Sequence, residues 1–353
     1  MGTSDAFVEP AWERFPLIAS NSYARRWIQS CAALGLAKNT VAAYMYAMEG
    51  FLSFTRERSI DLCSTSQEAI SLYVGELRTR PRRSGASVTR IDSGGLLSNA
   101  TLQQRLTAVR MFFEFLIDEG LVRNNPVSRG RNTSSSGSGT RSERSLVPRF
   151  HKLPWIPTEA QWTALLAVVC SEPRRNRCML ALAYDAALRR EELCELRSSD
   201  LDPAHRLLHI RAETTKGRRE RVVPYSDTSG QLLRDYLMQR RGLAKDRQAL
   251  FLSESPRNHG APITLWTWSK VIRSIALRAN VPSFSTHTLR HLCLTDLARS
   301  GWQLHEIAKF AGHQSLETTR QYIHLSGQDL AERLAKTMRQ IHSWRVDALA
   351  GDE

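Results

Sequence analysis

The sequence predicts a mainly α-helical chain with one small antiparallel β-sheet in its second half, built as two domains joined by a flexible basic linker. Three observations carry this expectation. Apolar residues recur at steps of three and four through most of the chain, only the stretch 207–224 reads as short strands, and a run with no core-forming residue separates two groups of helical segments. At 353 residues the chain also exceeds the length at which a single hydrophobic core usually keeps growing.

Residues 1–19 are set apart as an N-terminal arm. From Met1 to Phe15 the few apolar residues are mixed with Asp5, Glu9, Glu13 and Arg14, which supports neither a signal peptide nor a membrane span, and no 18-residue apolar run occurs anywhere. A helical domain is expected over 20–125. Val41, Tyr44, Met45, Met48, Phe51 and Leu52 form one face of a helix over Thr40 to Phe54, and a second helix follows over Gln67 to Leu77. A third runs from Asn99 to Asp118, carries Leu102, Leu106, Val109, Phe113 and Leu116 on one side, and stops before Gly120. Between the second and third lies a turn-rich loop with Arg82, Arg83 and Arg90.

The linker is assigned to 126–153. Its centre, Asn132 to Thr140, offers nothing that packs, and Arg129, Arg131, Arg141, Arg144, Arg149 and Lys152 stand around it against Glu143 alone. A flexible chain of about 28 residues reaches on the order of 30 Å, enough to cross a nucleic-acid duplex. The second domain, 154–325, opens on a capping-box pattern at Thr158 and Gln161, ahead of a helix with Trp162, Leu165, Leu166 and Val169. Helical stretches follow over Cys178 to Leu188 and Glu191 to Leu196. Two or three short strands then turn at Lys216-Gly217, and helical periodicity resumes to Trp344, with 326–353 forming a C-terminal helix and tail.

Charge points to the class of partner. Against 35 acidic residues stand 49 basic ones, a net +14 that divides evenly on either side of Leu153, so the excess is no detachable tail. A surface of this kind binds polyanions. Six cysteines at 31, 63, 170, 178, 194 and 293 include no C-x-x-C pair, so free thiols in a reducing cytosol are expected. His287 and His291 have the i, i+4 spacing of a zinc helix, but the required glutamate is missing and Arg290 would set a fixed positive charge beside the metal. His287 with Arg290, at i, i+3, instead pairs a proton-transfer group with an anion clamp, a combination suited to phosphate.

Taken in order, Leu188-Arg189-Arg190-Glu191-Glu192-Leu193, Thr215-Lys216-Gly217, His287-Thr288-Leu289-Arg290, Ala311-Gly312-His313 and Tyr322 resemble the tyrosine recombinase (phage integrase) family over about 180–325. Register against the family pattern selects Arg189 over Arg190, and Ala187 stands where the family carries glycine. The resemblance implies a site-specific DNA recombinase of integrase or transposase type that works through a covalent 3′-phosphotyrosine on Tyr322. A phenol titrates near 10, so it needs a base or a strongly positive site, and His287 is the candidate base. Arg189 and Arg290 would bind the non-bridging oxygens with His313 as a further donor, and Lys216 would protonate the leaving 5′ oxygen, which arginine cannot do. Glu192 is expected to fix the rotamer of Arg189, while His291, His305 and His324 read as structural or solvated.

No metal or nucleotide cofactor is expected, because the phosphotyrosine conserves the ester bond energy. Double-stranded DNA with specific sites, a homotetramer on two duplexes, possible accessory proteins and a cytoplasmic location complete the implied picture. Arg82, Arg83, Arg90, Arg141 and Arg144 are the expected phosphate contacts. The alternatives are relaxation of one duplex by a type IB topoisomerase and a non-catalytic DNA-binding regulator.

Overall fold

In a computed structural model of the chain, the described residues are 11–79, 96–127, 147, 154–215, 217–242, 248–320, 322, 334, 336 and 337. They fall into two compact units, Met1–His151 and Lys152–Glu353.

Among the described residues, five α-helices build the first unit: α1 (Pro16–Ser20), α2 (Ser22–Ala33), α3 (Lys38–Glu57), α4 (Gln67–Thr79) and α5 (Asn99–Asp118). Their ends are chemically marked. Pro16 opens α1, whose Leu17 and Ile18 amides donate to the Glu49 carboxylate at 3.0 and 3.1 Å. Asn21 caps α2 and Ser98 caps α5, which ends before Gly120 at a φ of 73°. The core is aromatic, with Phe51 against Tyr73 and Phe113 at centroid distances of 5.1 and 5.9 Å. The α2 helix is not among the elements that periodicity predicts, because Arg25 and Arg26 interrupt a stripe whose Ala24, Trp27, Ile28 and Cys31 are all buried. Val127 and Val147, both within the stretch assigned to the linker, are buried in this core, and the Gln103 side-chain amide donates to the Val147 carbonyl at 2.9 Å.

The second unit is mainly helical around a three-stranded antiparallel sheet in the order β1 (Leu201–Asp202), β2 (Leu207–Ile210), β3 (Arg221–Pro224). Before it come α6 (Glu159–Cys170), α7 (Arg174–Asp185) and α8 (Arg190–Cys194); after it come α9 (Asp227–Arg240), α10 (Leu265–Arg278), α11 (Thr286–Arg299), α12 (Leu304–Ala311) and α13 (Leu316–Arg320). The capping box at Thr158 and Gln161 forms with both its bonds. In the hairpin, Leu208 faces Val223 and Ile210 faces Arg221.

Two stretches differ from expectation. The helix predicted to reach Leu188 stops at Asp185, because Ala187 takes a φ of 47° and reverses the chain. The stretch 248–263, which periodicity reads as helical, instead carries the bridges Arg197–Ala249 and Leu252–Pro262 with one short 3-10 turn, Pro256–Asn258, between the partners of the second bridge. Pro256, Gly260 and Pro262 oppose a helix there. Tyr236 instead donates its hydroxyl to the Leu250 carbonyl and accepts from the Leu252 amide, and Arg240 Nε donates to the same carbonyl at 2.9 Å.

Among the described residues no helix is long and apolar enough to cross a membrane. All six cysteines are free thiols. Trp268 is the largest fully buried side chain, at 1% exposure in the main core of the second unit. Trp268→Ala is expected to cost about 3–5 kcal/mol in urea denaturation of the full chain.

Candidate active site

The ends of two helices create the site. α7 closes with the Ala187 amide donating to Tyr184 O and the Leu188 amide to Ala183 O, and α12 closes in the same pattern, with Gly312 donating to Lys309 O and His313 to Ala308 O. This termination needs a left-handed residue just past the helix, ordinarily glycine. Gly312 supplies it at a φ of 64°, whereas Ala187 adopts it at 47° despite its Cβ.

Both endings face one guanidinium. Arg290, on α11 and 1% exposed, donates from Nη1 to the Ala187 carbonyl at 2.5 Å and from Nη2 to the Ala311 carbonyl at 2.6 Å. The carbonyl ends of helices carry partial negative charge, which favours a buried cation. Burial and then the charge of Arg189 lower the Arg290 pKa to about 10, so it stays protonated at neutral pH.

Arg189 is the residue that opens α8, and its neighbour Glu192 is buried. The Glu192 carboxylate accepts from the Arg189 amide at 2.9 Å and from Arg189 Nη1 at 2.8 Å. It also takes a two-pronged bond from Arg221 on β3, Nη1 at 3.0 Å and Nη2 at 2.7 Å. Burial alone would raise this carboxyl, but the bonds and charges of Arg221 and Arg189 hold it down at about 2. Arg221 further donates from Nε to the Phe310 carbonyl at 3.1 Å, at the end of α12. Gly312 is bare for this reason as well, since a Cβ there would lie 3.1 Å from Arg221 Cδ. Arg190 points elsewhere, donating to the Ser269 hydroxyl on α10 at 3.1 Å.

Three histidines and Tyr322 complete the cluster. His313 Nε2 lies 2.9 Å from Arg290 Nη2, and its Nδ1 lies 2.8 Å from the hydroxyl of Thr319 on α13. Guanidinium can only donate, so Nε2 accepts and Nδ1–H donates to Thr319. Burial, followed by the charges of Arg290, Arg189 and Arg221, brings His313 to about 3 and keeps it neutral. Its ring lies parallel to that of Tyr322, within 8° at 6.0 Å. Tyr322 is 2% exposed, and its hydroxyl meets His291 Nδ1 at 2.9 Å. His287 packs edge-on against His291 at 4.7 Å. Its pKa is lowered by loss of water and then by Arg290, Arg189 and Arg190.

The structure therefore brings together Arg189, Glu192, His287, Arg290, His313 and Tyr322 from the sequence-predicted set. Lys216, Arg82, Arg83, Arg90, Arg141 and Arg144 lie outside the described residues. Gly217, next to Lys216, is held to the segment after His313, for Gln314 Nε2 donates to its carbonyl at 3.2 Å. A Cβ at 217 would fall 2.7 Å from that nitrogen.

Two contacts differ from the sequence-based expectation. His291, which the sequence presents as structural or solvated, is the partner of the Tyr322 hydroxyl, a position expected of His287. His313, expected as a donor, uses Nδ1–H on Thr319 and accepts at Nε2. Arg221 is absent from the expected set, although it shares the inward face of a short strand with buried Val223, where a charge requires a buried partner. Among the described residues no three His, Cys, Asp or Glu side chains converge as metal ligands.

Comparison with known proteins agrees in both units. The family model described as the phage integrase family matches residues 157–329, and that for the phage integrase N-terminal SAM-like domain matches 31–120. The tyrosine recombinase XerC of Chlamydia trachomatis serovar D is 31% identical over 252 residues, covering 69% of this chain and 70% of the relative. The tyrosine recombinase XerD of Oceanobacillus iheyensis is 28% identical over 300 residues, covering 80% and 94%. The fold matches XerH site-specific recombinase bound to palindromic difH substrate, with a TM-score of 0.65, 18% identity and coverage of 94% and 90%. It also matches a lambda integrase dimer bound to a COC′ core site, with a TM-score of 0.60, 17% identity and coverage of 87% and 95%.

The buried carboxylate yields a measurable pH signature. With a folded pKa near 2 against an ordinary 4.5, Glu192 contributes about 3 kcal/mol that is complete above about pH 4.5 and lost as pH falls toward 2. Glu192→Gln is expected to flatten that acid limb in stability-versus-pH curves. Arg221→Ala, which leaves the carboxylate with one partner fewer, is expected to cost about 3–5 kcal/mol by urea denaturation.

Proposed function

The chain belongs to the phage integrase family of tyrosine recombinases, enzymes that cleave and rejoin DNA strands at specific sites, and we propose that Tyr322 is its nucleophile. Arg189 and Arg290 grip the non-bridging oxygens of the scissile phosphate, whose negative charge grows in the pentacoordinate state. His287 and His313 border that pair. Tyr322 Oη bonds to phosphorus as the bond from phosphorus to the 5′ oxygen breaks, leaving a 3′-phosphotyrosine, and Lys216 delivers a proton to the departing oxygen. Religation runs the same steps backwards with the 5′ hydroxyl of the partner strand. The ester is exchanged and not hydrolysed, so the cycle draws on no nucleotide.

The observation that carries this reading is the unbroken contact from Arg290 through His313 to Tyr322, 2.9 Å between guanidinium and imidazole and two parallel rings beyond it. Phosphate-binding side chains and a nucleophile within one small buried cluster match what phosphoryl exchange requires.

Around this centre we assign 20–125 to grip the DNA core site, 126–153 to connect, and 154–325 to carry the chemistry. Four protomers act on two duplexes, with 326–353 docking on a neighbouring protomer and accessory proteins setting direction. Arg82, Arg83, Arg90, Arg141 and Arg144 bind phosphates and set affinity, not sequence choice.

Covalent trapping tests the nucleophile. Wild-type protein with nicked duplexes from the ends of the native locus is expected to give a protein–DNA band on a denaturing gel, absent in Tyr322→Phe. Lys216→Ala is expected to lose the band on ordinary DNA and regain it with a bridging 5′-phosphorothiolate, whose sulfur leaves without a proton. Neutralising the five arginines is expected to flatten the dependence of log K on log salt by about 0.9 for each phosphate they would otherwise neutralise.

A further inference from the structure

We infer that His291, and not His287, is the group that accepts the proton of the Tyr322 hydroxyl as its oxygen attacks phosphorus, an inference that rests on Tyr322 being the nucleophile. His291 Nδ1 lies 2.9 Å from Tyr322 Oη, the distance and placement a proton acceptor needs. Tyr322 is 2% exposed, which leaves bulk water little access to that oxygen. His287 packs against His291, whose ring it meets edge-on at 4.7 Å.

The ring chemistry agrees. Burial, then the nearby His287 and the charge of Arg290, lower His291 to about 4, so at neutral pH it is an uncharged imidazole with a lone pair to offer but a weak base, and the proton moves to it only as the Oη–phosphorus bond forms. Among the described residues, the titratable and charged groups about it are His287 and Arg290 on its own helix and Tyr322 and His313 opposite it. With Nδ1 turned to the phenol as acceptor, Nε2 carries the ring proton. In the step, the phenolic proton passes to Nδ1, the Oη–phosphorus bond forms, the bond to the 5′ oxygen breaks, and Lys216 protonates that oxygen. Religation returns both protons.

Placement explains why the residue sits where it does. α11 presents positions 287 and 291 one turn apart, so a single helix offers Arg290 to the phosphate and His291 to the nucleophile. His287 then stands beside His291 and the arginine pair, with part of its ring exposed.

Two measurements test this. In 15N-histidine NMR of the DNA-free protein, His291 is expected as the Nε2–H form with a hydrogen-bonded Nδ1, and the Nδ1 resonance is expected to move in Tyr322→Phe. An Nδ1–H form would overturn the inference, because His291 would then donate to the phenol.

The second is the pH profile of covalent cleavage on the same nicked duplexes at saturating protein. His291→Asn keeps a polar atom near the Nδ1 position but is no base, and is expected to slow cleavage about 100-fold or more at pH 7. Its rate should climb about tenfold per pH unit toward pH 9 as the phenol ionises unaided, while wild type stays flat. A merely structural lesion would not recover in this way. His291→Asn within threefold of wild type at pH 7, or a deficit unchanged up to pH 9, would overturn the inference. A covalent band that survives Tyr322→Phe would instead overturn the nucleophile assignment.

Discussion

Burial of the Arg290 guanidinium between two helix ends is the constraint on which the site depends. A cation in a protein interior is costly unless its donors are met. Here the requirement is met by the carbonyl oxygens of Ala187 and Ala311, which exist as acceptors only because α7 and α12 stop where they do. The two left-handed residues that end these helices are thus part of the arginine's environment. Where they turn decides where α8, with Arg189, and the His313 segment begin.

A second constraint ties the sheet to this arrangement. The Glu192 carboxylate is shared by Arg189 and Arg221, and Arg221 also reaches the end of α12. One strand residue therefore braces the arginine of α8 and the turn before His313 together. The hairpin that carries Lys216 is joined to the same turn at its tip, through Gln314 and Gly217. Lys216 and the arginines Arg189 and Arg290 lie on separate elements of the sequence, and these two braces connect the elements next to them.

Much of this is legible in the chain. The α5 helix is readable nearly to its ends, because the stretch from about Asn99 to Asp118 combines an apolar stripe with a glycine stop; the structure adds a serine cap at Ser98. The hairpin is readable as a local pattern, and the ordered series from Arg189 to Tyr322 is readable through its resemblance to the family. What escapes is set by contacts between distant positions. Arg221 meets Glu192 across 29 residues and His291 meets Tyr322 across 31, and no periodicity encodes either pairing. The early stop of α7 escapes for the opposite reason: alanine at 187 gives no sign of a left-handed turn, where glycine would have announced it.

The packing of guanidinium groups has a thermodynamic consequence. Arg189, Arg221 and Arg290 gather around the single carboxylate of Glu192, and the pKa of Arg290 is lowered first by its burial and then by the neighbouring guanidinium charges. Within the second unit these three guanidinium groups outnumber the carboxylate they surround, an excess of positive charge that an anion would balance. By linkage, any ligand that binds only the folded state stabilises it. On the proposed assignment, substrate DNA would be a structural component of this enzyme as much as its reactant, because a phosphate bound at the arginine cluster would stabilise the fold that holds it.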